Sequence, residues 1–179
     1  MSATIATARL WLRPWTDTDR APFAAMGADP HVMRYLGPLQ TRAETDAAID
    51  RQIASQAEDG FAFWAIERLD DHAFLGFCGL KRITIRGPLD GEVEIGWRLR
   101  RDAWGQGYAF EAARASRDHG FLYLGLPHLF AFTVQANTRS WGLMARIGMT
   151  RLDNLAFDHP ALAVDDPLRP HIVYGIGPP

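Results

Sequence analysis

The sequence predicts one α/β domain, residues 1–179, built on a mixed sheet with helices around it. Three observations carry that expectation. Strand-type and helix-type periodicities alternate along the chain, two of the strands read as a hairpin, and 47% hydrophobic residues in 179 suffice to enclose one core. No internal repeat or low-complexity block divides the chain, and Gly37-Pro38 and Gly87-Pro88 are too short to be linkers and read as turns.

Residues 8–12 are apolar and aromatic enough for a first strand, which Pro14 ends. Thr16, Asp17 and Asp19 then signal a helix with Pro22, Phe23 and Met26 on its inner face. Thr41 and Glu44 have the spacing of a capping box, and Ile49, Ile53 and Ala57 follow at helical intervals, so a second helix is expected over 41–58. Residues 61–68 and 73–81 are apolar runs joined by the polar turn 69–72, the pattern of a hairpin. The clearest strand is 92–99, with Val93, Ile95, Trp97 and Leu99 on one face and Glu92, Glu94, Gly96 and Arg98 on the other. After a glycine loop, Ala109, Ala112, Ala113, Ser116 and Gly120 recur at three- and four-residue steps, a small-residue stripe that lets a helix lie close on a sheet. Residues 128–134 read as a buried strand. Residues 137–147 read as a helix with Trp141, Met144 and Ala145 inward and Gly148 as its left-handed stop. Final strands are expected at 149–155 and 171–176, separated by the Pro-rich segment 160–170.

A formal charge of -2 and a pI near 6.3 give no global attraction to nucleic acid or to anionic lipid. No basic tract interleaves Trp11, Trp15, Trp64 and Trp141, which read as core or pocket wall rather than as a base-stacking platform. Residues 1–8 hold no basic segment followed by an apolar one, and no run reaches the ~18 to 20 apolar residues of a membrane span, so no membrane association is expected. The lone Cys78 excludes an internal disulfide and fits a reducing cytoplasm, and the histidines lack ligand spacing, so no metal is expected.

The segment Trp104-Gly105-Gln106-Gly107-Tyr108-Ala109 lies between a strand and a helix. Glycines at a helix entrance leave backbone N–H groups unpaired beside the positive end of the helix dipole, which suits a phosphate; the same glycines also suit a mere tight turn. The third glycine of a dinucleotide fingerprint and the Gly-Lys-Ser/Thr ending of a P-loop are both absent.

Three motifs follow one another in a fixed order: Glu92-Val-Glu-Ile-Gly-Trp-Arg-Leu99, Trp104-Gly-Gln-Gly-Tyr-Ala-Phe-Glu-Ala112, and Asn137-Thr-Arg-Ser140 running to Ile147-Gly148-Met149. That series resembles the signature of GNAT-superfamily N-acetyltransferases, in particular the RimJ/RimL-like branch named for enzymes that acetylate ribosomal-protein N-termini. The likeness extends from Arg9 to His171. It implies a mixed, mostly antiparallel sheet splayed at its centre between 92–99 and 128–134, with acetyl-CoA as cosubstrate in the opening. By the same resemblance, the loop Gly105, Gln106, Gly107, Tyr108 and Ala109 holds the CoA pyrophosphate, the backbone of Trp97, Arg98 and Leu99 runs beside the pantetheine and acetyl carbonyl, and Asn137 bonds the pantetheine amides. Edge-strand pairing into a homodimer is also in keeping with it. Trp104 stands where the wider superfamily has Gln or Arg, and Met144 stands where many members have a thiolate-protonating tyrosine.

Acetyl transfer to an amine needs a base for the ammonium and a proton for the departing sulfur. Glu94 is the candidate base and Glu92 second choice; the other reading of Glu94 is a structural carboxylate bonding backbone or an arginine. Ser140 is the candidate donor to the thiolate and a further cofactor contact, or else a first-turn serine satisfying backbone. Arg100, Arg101 and Arg139 meet CoA phosphates or are ordinary surface, and Cys78 is structural. The acceptor is a primary amine, either a protein N-terminus or a small molecule. A non-catalytic acyl-CoA-binding module would keep the same cofactor motif.

Overall fold

The computed structural model describes residues 4–178. In chain order they form β1 (Ile5–Ala6), β2 (Leu10–Arg13), α1 (Arg20–Gly27), α2 (Pro30–Met33), α3 (Arg42–Asp59), β3 (Phe63–Arg68), β4 (Phe74–Arg82), β5 (Val93–Leu99), α4 (Tyr108–Leu122), β6 (Leu129–Thr133), α5 (Thr138–Arg146), β7 (Thr150–Arg151), β8 (Phe157–Asp158) and β9 (Pro170–Ile176). Of the N-terminal stretch 1–8 read above, residues 1–3 lie outside the described residues. The sheet runs β1-β2-β3-β4-β5-β6-β9-β7, with β8 on β9. Every pairing is antiparallel except β5 with β6. This is the mixed, mostly antiparallel open sheet flanked by helices that the sequence implied.

Alternation along the strands distributes the core to two faces. Trp64, Ile66, Cys78, Leu80, Val93 and Ile95 pack with the small-residue stripe of α4, where Ala112, Ala113 and Ser116 are fully buried. On the opposite face Ala65 and Phe74 meet Trp15, Phe23, Met26, Val32 and Ile49 from α1, α2, α3 and the segment before them. Because β3 is covered on both faces, its residues from Phe63 to Ile66 form a continuous apolar run. Thr41 and Glu44 form the expected capping box at the start of α3, which ends at Gly60 in the left-handed region.

Several elements depart from expectation. Ile53 is 46% exposed and Ala57 is exposed as well. The second half of α3 instead turns in Gln52, whose amide accepts from Phe63 N at 3.1 Å, and Gln56, which donates to Gly60 O at 2.7 Å. In α5 the inward pair is Leu143 and Met144, while Ala145 is exposed and Trp141 only half-buried. The strand expected over 149–155 pairs only at Thr150 and Arg151, because a 3-10 turn at Asp153–Leu155 interrupts it. Trp11 lies near the sheet edge, 39% exposed, and is neither core nor pocket wall. Helix α2 and strand β1 were not anticipated. Helix α2 carries a legible start, with Asp29 accepting from His31 N at 2.8 Å and Pro30 at its first position. Among the described residues no helix is long and apolar enough to cross a membrane.

A buried ionic network ties β2 to β3 and to the turn before α1. Arg13 donates to both oxygens of Asp19, at 2.8 and 2.9 Å, and to Glu67 at 2.6 Å. Burial pushes both carboxyls up, but hydrogen bonds from Arg13 to each, from Thr16 to Asp19 and from His72 to Glu67 hold them below their ordinary values. Their contribution is therefore present above the unfolded carboxylate pKa and is lost as pH falls through the depressed folded values. Arg13→Met should cost about 3–5 kcal/mol in urea denaturation at pH 7, because it leaves two buried carboxylates without a cation. The deficit should narrow toward pH 4, where those carboxylates take up protons; a variant of wild-type stability at pH 7 would refute the role.

Candidate active site

Strand β5 pairs with β4 along its whole length, yet it meets β6 at the single register pair Glu94↔Phe130. Beyond that pair the strands part, and a cleft of about 1330 Å³ lies between them. This exceeds the roughly 300–1,000 Å³ of a pocket for one drug-sized ligand and leaves room for two substrates. Because β5 and β6 are parallel and each leads into a helix, the N-termini of α4 and α5 both open on this cleft, with their positive dipole ends toward it.

The glycine loop forms one lip. Gly105 (φ 73°) and Gly107 (φ 82°) take the left-handed conformation that other residues adopt only with strain. The backbone amides of Gly105, Gln106, Gly107, Tyr108, Ala109 and Phe110 donate to no acceptor in the described chain; the next amide, Glu111 N, resumes the helical pattern on Gly107 O at 3.0 Å. Arg9 fixes this shape. Its guanidinium bonds Glu111 and donates to Gln106 O at 3.0 Å. In a trans peptide the following N–H points opposite to the carbonyl, so this bond turns the Gly107 amide away from Arg9. Gln106 is the one residue of 105–109 that does not line the cleft: its side chain donates to Asp102 O at 2.8 Å.

Trp97, Arg98 and Leu99 run along the cleft, and Asn137 faces them from the start of α5, its Nδ2 donating to Thr133 Oγ1 at 3.0 Å. Ser140 lines the cleft one turn on. Its hydroxyl makes no hydrogen bond among the described residues, so the backbone-capping reading is not what the structure shows. Met144, 2% exposed, also lines the cleft. Arg101 and Arg139 reach it, the latter with its guanidinium 5.0 Å from the Trp104 ring centre, whereas Arg100 is held by Asp102 at 2.6 Å.

Glu94 lies at the point where the strands divide, on the face of β5 away from α4. It makes no ion pair or hydrogen bond among the described residues, and burial pushes its carboxyl up to about 7 against the pull of the Lys81 ammonium on the paired strand. The alternative of a carboxylate held by backbone or an arginine finds no partner. Glu92 is exposed and outside the cleft. Cys78 is on the α4 face, 3.7 Å from Ser116 Oγ, and burial raises its thiol to about 12, which keeps it protonated and inert. No cluster able to hold a metal occurs among the described residues.

The opposite wall was not legible beforehand. It is made by Met33, Tyr35 and Gln40, from α2 and the segment after it, and by Phe63 and Phe77, whose rings stack 5.1 Å apart. A side chain at Gly96 would approach the Phe63 ring to 2.8 Å, so glycine there lets Phe63 lie across β5 beside Glu94. These residues come from segments far apart in sequence; the only advance signal was that Arg98 shares the face of Glu94.

The profile of the Acetyltransferase (GNAT) domain matches residues 9–150. The protein YkkB of Bacillus subtilis (strain 168) is 32% identical over 146 residues, covering 81% of this chain and 84% of its own. FsC-acetyl coenzyme A-N(2)-transacetylase of Aspergillus fumigatus is 28% identical over 172 residues, 91% of this chain and 72% of its own. Among solved structures, the acetyltransferase from Agrobacterium tumefaciens str. C58 superposes with a TM-score of 0.80 at 29% identity, covering 98% of this chain and 95% of that one. With its parted strands and its lip of unpaired amides, the chain belongs to the GNAT acetyltransferase family and is an acetyl-CoA-dependent acetyltransferase.

Proposed function

We propose that the protein transfers an acetyl group from acetyl-CoA to a primary amine, a protein N-terminus or a small molecule, by direct attack within a ternary complex. The observation that carries this reading is the unbroken run of unpaired amides from Gly105 to Phe110 at the mouth of the parted strands. Aligned N–H groups at a helix N-terminus, beside the positive end of its dipole, form an anion site, and a pyrophosphate supplies oxygens for them. The reading draws support from the FsC relative, whose name pairs acetyl coenzyme A with transfer to an N2 nitrogen. The motif series with Trp104 in the loop supports the RimJ/RimL-like branch.

Acetyl-CoA, when bound, supplies an activated thioester. In the proposed arrangement the amides of 105–110 hold its phosphates, the backbone of Trp97, Arg98 and Leu99 continues the sheet along its pantetheine arm, and Asn137 bonds that arm from the other side. Glu94 accepts the ammonium proton, and a carboxyl pushed up to about 7 is matched to that task at neutral pH. The amine nitrogen forms the C–N bond, the C–S bond breaks, and Ser140 passes a proton to the sulfur, directly or through water, while the proton shed by the acylated nitrogen restores the serine hydroxyl, in place of the tyrosine that Met144 replaces.

Saturating acetyl-CoA, at about 100 times its Kd, should raise the melting temperature by on the order of 5–10 °C. No shift, together with no heat of binding, would remove the reading. Gly107→Val places a β-branched residue at φ 82° in the lip, and CoA affinity should collapse while the fold persists; unchanged affinity would put the phosphates elsewhere.

Glu94→Gln should lower kcat by roughly 10²- to 10⁴-fold at pH 7 with acetyl-CoA affinity retained. The rise of wild-type kcat/KM through pH 7 should be missing from the variant. Stability moves the other way. A carboxyl raised to about 7 from roughly 4.3 binds its proton more tightly in the folded chain, so stability falls as pH climbs through that window. The variant should therefore melt at or above wild type at pH 8, and wild-type kcat at pH 7 would exclude Glu94 as the base.

A further inference from the structure

The acceptor wall contains a largely buried cation, Arg98, that no carboxylate neutralises among the described residues. Arg98 extends from the same face of β5 as Glu94, with its guanidinium 4.9 Å from the ring centre of Phe23 and 5.2 Å from that of Phe77. Its Nη1 donates to Gln40 Oε1 and contacts Met33 Sδ, both at 3.0 Å. Its Nε is buried without an acceptor, and Nη2 makes no hydrogen bond among the described residues. No carboxylate pairs with it, although most other arginines that reach the interior do find one, Arg13 among them. Burial draws the guanidinium down only to about 10, so it stays charged at neutral pH. The Gln40 amide is oriented by this bond: with its oxygen turned to Arg98, its NH₂ faces away and has no acceptor.

Charge along the cleft reinforces the point. Among the described residues Glu94 is its only acidic lining residue, while Arg101, Arg139 and Arg146 come from the glycine-loop side and from α5, where phosphates are expected, and Arg34 lies exposed at the end of α2. Arg98 belongs to the other side, with Met33, Gln40 and Phe77. Leaving an arginine in an apolar setting without an anion is costly, and such a site favours a ligand that brings one.

We propose that Arg98, through the guanidinium N–H groups left without acceptors, binds a carboxylate on the acceptor, so that the substrate class is small amines that carry a carboxylate and an apolar body, not polyamines. The inference rests on the acetyl-transfer reading above. The four residue steps from Glu94 to Arg98 span roughly 13 Å of strand between Cα atoms, a gap that both side chains shorten. Phe63 and Phe77 form an apolar floor between them on which the body of such an amine rests, with its nitrogen toward Glu94 and its carboxylate toward Arg98.

The test is CoA release from acetyl-CoA with paired amines that differ only in carboxylate against carboxamide: leucine, phenylalanine, β-alanine and 6-aminohexanoate beside their amides, with spermidine and a short peptide as further acceptors. The wild type should favour at least one carboxylate over its amide by on the order of 10- to 100-fold in kcat/KM. Arg98→Gln should bring that ratio close to one, chiefly through KM, and Arg98→Lys should restore part of it. A preserved rise in melting temperature with acetyl-CoA shows that each variant still folds and binds cofactor. Equal use of the paired amines, a preference for spermidine, acetylation confined to the peptide, or a ratio unchanged in Arg98→Gln would each overturn the proposal. Binding is read separately by calorimetric titration of the CoA-loaded protein with N-acetylleucine, N-acetyl-β-alanine and their amides. If no amine releases CoA, the transfer reading fails; a carboxylate preference lost in Arg98→Gln would still support the anion site, and its absence would overturn it.

Discussion

The constraint on which the site depends is that β5 has a full antiparallel partner on one edge and almost none on the other. Its pairing with β4 runs from Val93 to Leu99, whereas its contact with β6 is the one register pair at Glu94. A sheet interior would not tolerate this gap if it were merely a defect, since each unpaired backbone group away from water costs about as much as a lost hydrogen bond. Parallel order adds a second consequence. Both strands run in the same direction into helices, so two helix N-termini and the exposed edge of β5 converge on one opening.

How the opening is kept in shape follows from bonds made well outside it. Arg9, from the turn between β1 and β2, grips Glu111 on α4 and the Gln106 carbonyl, and so the loop amides are set from behind. Trp104 Nε1 donates to Leu99 O at 2.9 Å and ties the loop back to the end of β5. The first contact lies behind the lip and the second joins two residues of the cleft wall, and both fix where the unpaired amides point. The acceptor wall is held differently, by the buried aromatic cluster of Trp15, Phe23, Phe63, Phe74 and Phe77, in which Trp15 Nε1 also donates to Phe63 O at 2.7 Å.

This difference explains which parts were legible in the sequence. Elements dominated by local signals were readable: the capping box at Thr41, the alternation of β5, the small-residue stripe of α4 and the left-handed stop at Gly148 all act within a few residues. Glu94 was placed on its face by the same alternation. Misreadings arose where tertiary packing chose among local options. Periodicity alone could not tell that Gln52 and Gln56, not Ile53 and Ala57, would turn toward the sheet to satisfy backbone groups of the adjoining chain. In α5, Leu143 and Met144 set the rotation because the floor of the cleft needs them, and Ala145 falls outside. The acceptor wall draws on α2, the segment after it, β3 and β4, so no spacing in the sequence encodes it. Gln106 is read with its neighbours as a cofactor contact through the loop backbone, and only the bond to Asp102 shows that its side chain braces the turn.

One physical pattern links the catalytic and recognition ends of the cleft. Glu94 and Arg98 share a face of the same strand with the rings of Phe63 and Phe77 between them, so each charge sits in an apolar setting and neither reaches the other. Burial moves the two in opposite senses, raising the carboxyl to about 7 and lowering the guanidinium to about 10. The size of those movements decides their uses. A carboxyl near neutrality exchanges its proton readily and serves proton transfer, while a guanidinium three units above neutrality keeps its charge and serves as a fixed electrostatic anchor. A small amine with a carboxylate matches that order along the strand, because it presents the group that must lose a proton to Glu94 and the group that must remain ionised to Arg98. A polyamine matches only the first and meets an unneutralised cation at the second.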